Sequence, residues 1–178
     1  ILMRIGIFDS GLGGINVLKE MIKVHPDESY VYIGDNKNVP YGNKSMNELY
    51  TLATKIIDKL IEFDVDIVIV ACGTISSTIY DKLQNYCSVP IVNIVATTID
   101  YINKLKIDSI AVMATPNTIK SHIFKRNLKR LNFLLLCGLP RRLCRLAMTS
   151  KSVFLWQDEQ ANFVILSLLK KGNPATCK

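Results

Sequence analysis

Five short apolar runs recur along the first two thirds of the chain. Each stops at polar or small residues, and most lead into a stretch with helical spacing. They fall at residues 5–8, 30–33, 67–71, 91–95 and 109–113. The third, Ile67-Val-Ile-Val-Ala71, has no polar interruption, as expected of a strand covered on both faces. Between the runs, apolar residues fall at helical spacing. Ile15, Leu18, Met21 and Ile22 follow the first run, and Pro26-Asp27 closes that helix. Ile75, Ile79 and Leu83 follow the third. Ser45, with Glu48 three residues on, is a capping box that opens a helix with an inner face of Leu49, Leu52, Ala53, Ile56, Ile57 and Leu60. A helix with basic flanks is expected to run from Thr118 to about Asn132. Strands alternating with helices predict an α/β fold with a doubly wound parallel sheet.

The strand ends are the next constraint. They read Asp9-Ser10, Asp35, Cys72-Gly73-Thr74, Thr97-Thr98 and Thr115. In an open α/β sheet, ligands bind beyond the carboxyl ends of the strands, so these groups are expected to converge on one cleft. A carboxylate at the end of an apolar strand costs desolvation energy unless something uses it, which singles out Asp9.

Composition narrows the class. Of 178 residues, 49% are hydrophobic and 21% charged, as in a globular chain and unlike a disordered one. No apolar run approaches the ~20 residues of a membrane span. The start, Ile1-Leu2-Met3-Arg4, lacks the pattern of an export signal, and Met3 is a candidate initiator. Five cysteines at 72, 87, 137, 144 and 177 match neither a disulfide framework nor a zinc spacing, so a reducing cytoplasm is expected. The excess of 22 Lys/Arg over 15 Asp/Glu lies mostly in residues 133–178, which hold seven of the former and two of the latter. Nucleic-acid binding by the main body is therefore not expected.

Cys72 is placed at a strand end just before a helix, where partial positive charge favours a thiolate and is expected to lower the thiol pKa. The alternative is a small buried hydrophobe. Asp9 on a neighbouring strand end favours chemistry, since a carboxylate can accept or relay the thiol proton. Gly11-Leu-Gly13-Gly14 followed by Asp35 could be read as a dinucleotide loop. Two details oppose it: Asn16 stands where the third glycine belongs, and Asp9 puts an anion where a pyrophosphate would lie. A phosphatase built on Asp9 lacks the second aspartate at position 11. His25 and His122 fall away from the cleft edge, and Cys137 and Cys144 fit no metal spacing.

Taken in order, Gly6-Ile-Phe-Asp9-Ser10-Gly-Leu-Gly-Gly14, Gly34-Asp35, Val39-Pro-Tyr41-Gly42-Asn-Lys-Ser45 and Val70-Ala-Cys72-Gly-Thr74 resemble glutamate racemases. Pro90-Ile-Val and Ala114-Thr115-Pro-Asn-Thr118-Ile-Lys-Ser121 continue the likeness, which covers about residues 3–132. The resemblance implies cofactor-independent interconversion of L- and D-glutamate, with no metal, for peptidoglycan synthesis in the cytoplasm. It implies two similar α/β lobes with the site between them, glutamate as substrate, no nucleic-acid or membrane partner, and a homodimer as candidate assembly. It assigns Cys72 as the first-lobe base and Asp9 as its proton partner. Ser10, Tyr41, Gly42 and Thr74 would hold the substrate, and Thr115 and Thr118 would line the second-lobe side.

The departures are specific. Gly73 stands where the family carries Asn. The family's second Cys-Thr-His motif is absent, and Cys137 is followed by Gly-Leu. The expected organisation is a first lobe at 1–96, the start of a second at 97–132 and an atypical basic tail at 133–178, as in a truncated or frame-disrupted racemase. Impaired turnover is the corresponding expectation, with a non-catalytic amino-acid-binding or interaction module as the alternative.

Overall fold

The computed structural model describes residues 2–105, 109–128, 132–137, 152–156 and 167–168. The first sheet is built around β1 (Arg4–Asp9), which pairs in parallel with β2 (Ser29–Gly34) on one side and β3 (Ile67–Val70) on the other. β4 (Ile91–Asn93) adds to β3, giving the order β2-β1-β3-β4. The chain leaves β1 for β2 in one direction and leaves β3 for β4 in the other. That reversal opens a crevice between the carboxyl ends of β1 and β3.

Side chains alternate between the two faces with the period of a strand. Ile5, Ile7, Ile69 and Ala71 face α1 (Gly14–Val24), packing on Val17, Leu18 and Met21. Phe8, Val68 and Val70 face the other way, in a cluster with Leu49, Ala53, Ile57 and Leu60 of α2 (Met46–Ile61). Leu49, Ile57 and Leu60 are wholly buried, each contributing about 1.5–3 kcal/mol from removal of apolar surface. The capping box forms: Ser45 Oγ accepts from the Glu48 amide at 3.3 Å, and Glu48 Oε2 accepts from the Ser45 amide at 2.9 Å.

The second sheet centres on β5 (Ser109–Ala114), parallel to β6 (Asn132–Cys137) and β7 (Ser152–Trp156), with β8 (Ser167–Leu168) antiparallel to β7. Its core joins Ile110 and Val112 to Val95, Ile99 and Ile102 of α5 (Ile94–Lys104) and to Phe124. The α/β architecture expected from the strand–helix alternation is the one that forms. No helix among the described residues is long and apolar enough to cross a membrane.

Several boundaries differ from expectation. β4 stops at Asn93, and Thr97 and Thr98 lie inside α5, where their hydroxyls donate to the carbonyls of Asn93 and Ile94. Asn93 ends the strand because its side chain caps α5, accepting from the Ala96 amide at 2.9 Å. The helix after Cys72 is broken at Ile79 into α3 (Gly73–Thr78) and α4 (Tyr80–Tyr86). The one after β5 is broken at His122, whose φ of 54° is left-handed, into α6 (Pro116–Ser121) and α7 (Ile123–Asn127). It ends short of Asn132, and residues 132–137, spanning the expected start of the atypical tail, form β6 beside β5. Within the tail, Ser167 and Leu168 lie in β8, and residues 157–166 are outside the described residues. So are Cys144 and residues 170–178.

Candidate active site

Asp9 ends β1 and is fully buried, with Oδ2 accepting from the amides of Gly11 at 3.2 Å and Gly14 at 3.0 Å. Gly14 is the first residue of α1, and a Cβ there would stand 2.8 Å from the Asp9 Cβ and 3.2 Å from that of Ala71. Only glycine lets the helix start approach the carboxylate so closely. Burial raises the Asp9 pKa, and the amides of Gly14, Gly11, Ser10 and Gly13 offset only part of that rise. Beneath the loop, the Tyr32 hydroxyl donates to the Gly11 carbonyl at 2.7 Å. Burial, then the charges of Asp9 and Cys72, hold that phenol well above its usual range.

Cys72 follows the neighbouring strand by two residues and takes the N-cap position of α3. It is buried, and its thiol donates to Ser10 Oγ at 3.4 Å. The Ala71 amide donates to the Phe8 carbonyl at 2.8 Å, so both strand ends share one rim. The expected lowering of the thiol pKa is overturned. Burial first, and the Asp9 charge second, push it up to about 12, against the smaller pull of the Ser10 hydroxyl and the Ile75 and Ser10 amides. A single short helix end does not outweigh loss of water around a sulfur anion.

The remaining residues come from three directions. Asp35, whose backbone N–H donates to the Asp9 carbonyl at 3.0 Å, accepts from the Tyr41 hydroxyl at 2.7 Å and from Asn38 Nδ2 at 2.9 Å. Tyr41 is buried, and its hydroxyl proton is committed to Asp35, which raises its pKa further beyond the effect of burial. From the second sheet, Thr115 caps α6 and lies 3.0 Å, oxygen to oxygen, from Thr74. Thr115 also pairs with Thr118 at 3.1 Å, and Thr118 accepts from Ser77 at 3.0 Å. The Gly42 carbonyl accepts from the Asn117 amide at 3.1 Å.

Ser10, Thr74, Thr115 and Thr118 are thus brought together, with Tyr41 and Gly42 on the adjoining loop. Thr97 and Thr98 take no strand-end position, and Asn93 stands there instead, donating to the Ser76 carbonyl at 2.8 Å. His25 and His122 are exposed. Sequence reasoning missed Ser77 and Asn117. Neither stands at a strand end, and their partners are about forty to seventy residues away.

A buried thiol and a buried carboxylate thus lie on one rim, two groups of a kind that can accept and donate protons. Together with the hydroxyls of the second sheet, they mark the seam of a two-lobed α/β protein. Comparison with known proteins narrows that class. The family model of Asp/Glu/Hydantoin racemase matches residues 10–163, and the chain belongs to that family. Glutamate racemase of Fusobacterium nucleatum is 45% identical over 131 residues, which is 72% of this chain and 50% of that protein. Glutamate racemase of Clostridium acetobutylicum is 37% identical over 127 residues, 71% of this chain and 50% of that one. Among solved structures, glutamate racemase from Aquifex pyrophilus superposes with a TM-score of 0.72 at 32% identity, covering 79% of this chain and 57% of that one. Glutamate racemase of Francisella tularensis, in complex with D-glutamate, gives 0.69 at 28%, covering 83% and 58%. The chain spans about half the length of the curated relatives it matches.

Proposed function

We propose that this chain carries the first-lobe half of a glutamate racemase site, working by thiol-based proton transfer without a cofactor. What carries the reading is Cys72 and Asp9 on one rim, in a chain whose relatives are glutamate racemases. The Cys72 thiolate takes the α-proton of glutamate, the electron pair stays on the α-carbon beside the carboxylate, and the sulfur becomes a thiol. Ser10 holds the sulfur, Asp9 receives or returns its proton, and Thr74, Tyr41 and Gly42 with Thr115 and Thr118 fix the substrate. The setting is the cytoplasm, the product D-glutamate for peptidoglycan and cell shape, and the assembly a homodimer.

Inversion needs a second acid on the opposite face of the α-carbon, and no Cys-Thr-His follows Cys72 in this sequence. Turnover by this chain is therefore expected to be lower by several powers of ten, since residues that act as a unit do not replace one another. Circular dichroism of L-glutamate solutions tests this, and conversion at the rate of a full-length relative refutes the impairment. In deuterated water the half-site should exchange the α-proton of one enantiomer with retention. NMR showing exchange of neither counts against it. A second reading, an amino-acid-binding or interaction module, is favoured by a thiol that stays protonated at neutral pH. Calorimetric binding of glutamate without proton exchange would support it.

A further inference from the structure

The loop 39–44 between β2 and α2 belongs to the first lobe, yet one residue of the second lobe holds three of its carbonyls. Asn117, in the first turn of α6, donates through its backbone amide to Gly42 O at 3.1 Å. Its side-chain Nδ2 donates to Lys44 O at 2.9 Å and reaches Tyr41 O at 3.5 Å. The residue is buried. From the opposite side the same loop is pinned by the Tyr41 hydroxyl on Asp35. The loop is therefore fixed by its own lobe at one point and by the other lobe at the next.

We propose that Asn117 is a positioning residue that sets the substrate loop from the second lobe. It makes the placement of Tyr41 and Gly42 depend on how α6 meets the first lobe. This rests on the functional reading above for the identity of the substrate, and on geometry alone for the coupling. An amide side chain suits the task because it donates to two carbonyls that converge on it, at Tyr41 and Lys44. A carboxylate of the same shape presents only acceptors to those carbonyls and should push the loop away. Asn117 touches neither Cys72 nor Asp9 through its side-chain hydrogen bonds, so its effect should fall on substrate capture and not on the proton step.

The test uses the whole chain with Asn117→Ala and Asn117→Asp. Hydrogen exchange of the amides at 41–44 should quicken at least tenfold in both, and more in Asn117→Asp, while amides of β1 and β3 keep their protection. Unchanged protection at 41–44 overturns the proposal whether or not the protein handles glutamate. In glutamate α-proton exchange, both variants should raise the half-saturating concentration about tenfold and leave the saturating rate within twofold. A fall in the saturating rate with no change in half-saturation overturns the positioning role. Wild-type protein that exchanges no α-proton sinks the half-site reading alone, since the amide measurement still decides the coupling.

Discussion

Alkylation of Cys72 with iodoacetamide, followed across a pH series by mass spectrometry of its peptide, reads the electrostatics of the rim directly. Only the thiolate reacts. Displacing the thiol from 9.0 to about 12 lowers the thiolate fraction at pH 8 about a thousand-fold, each pKa unit being a factor of ten. The rate should therefore climb about tenfold per pH unit up to about pH 10, without a plateau. Restricted access through the buried rim scales every point by the same factor and does not bend that line. Asp9→Asn keeps an oxygen to accept from Gly11 and Gly14 but removes the charge that ranks second in raising the thiol, so the rate at fixed pH should increase. Protein unfolded in urea should level off near the ordinary thiol value. A native profile that levels off at or below about pH 9, or an Asp9→Asn protein that reacts more slowly, refutes the reasoning.

Stability predictions follow from the same geometry. With its folded pKa above its unfolded one, Cys72 contributes stability that is fully present below about pH 9 and lost as pH rises toward about 12. Cys72→Ala should accordingly flatten the alkaline fall of Tm, and an identical slope would contradict the shift. Leu49→Ala removes a wholly buried side chain packed under the first sheet and should cost about 2–5 kcal/mol in urea unfolding. Ser45→Ala loses the cap of α2 and should cost about 1 kcal/mol by the same measurement. Gly14→Ala forces a methyl to 2.8 Å from the Asp9 Cβ and should cost about 1–3 kcal/mol. A Tm equal to that of the parent would show that α1 can shift freely.

The rim was legible because it is written in local order: an apolar strand, then a polar group, then a helix, at Asp9 and again at Cys72. Ser45 with Glu48 announced α2 in the same way. Elsewhere the local signal misled. Ile91 to Val95 reads as one β-branched run, but Asn93 inside it is a helix cap, and the cap decides where the strand ends. The thiol's pKa shift ran the wrong way in prospect because a helix start is visible in a sequence and total burial is not. Ser77 and Asn117 were invisible for a related reason, since their partners Thr118, Gly42 and Lys44 become neighbours only when the two sheets are set side by side. β6, at residues 132–137, is recognised by its pairing with β5.

Each half of the rim stands on its own foundation. Asp9 is anchored to the start of α1, above the layer formed by Ile7, Ile69 and Ala71, while Cys72 belongs to the layer of Phe8 and Val70 on the reverse side. Trimming a methyl beneath one layer would nudge the carboxylate and spare the sulfur; trimming beneath the other would do the reverse. Substitutions that never face the ligand can thus move one partner at a time, and a shift of the carboxylate is felt by the thiol through its charge.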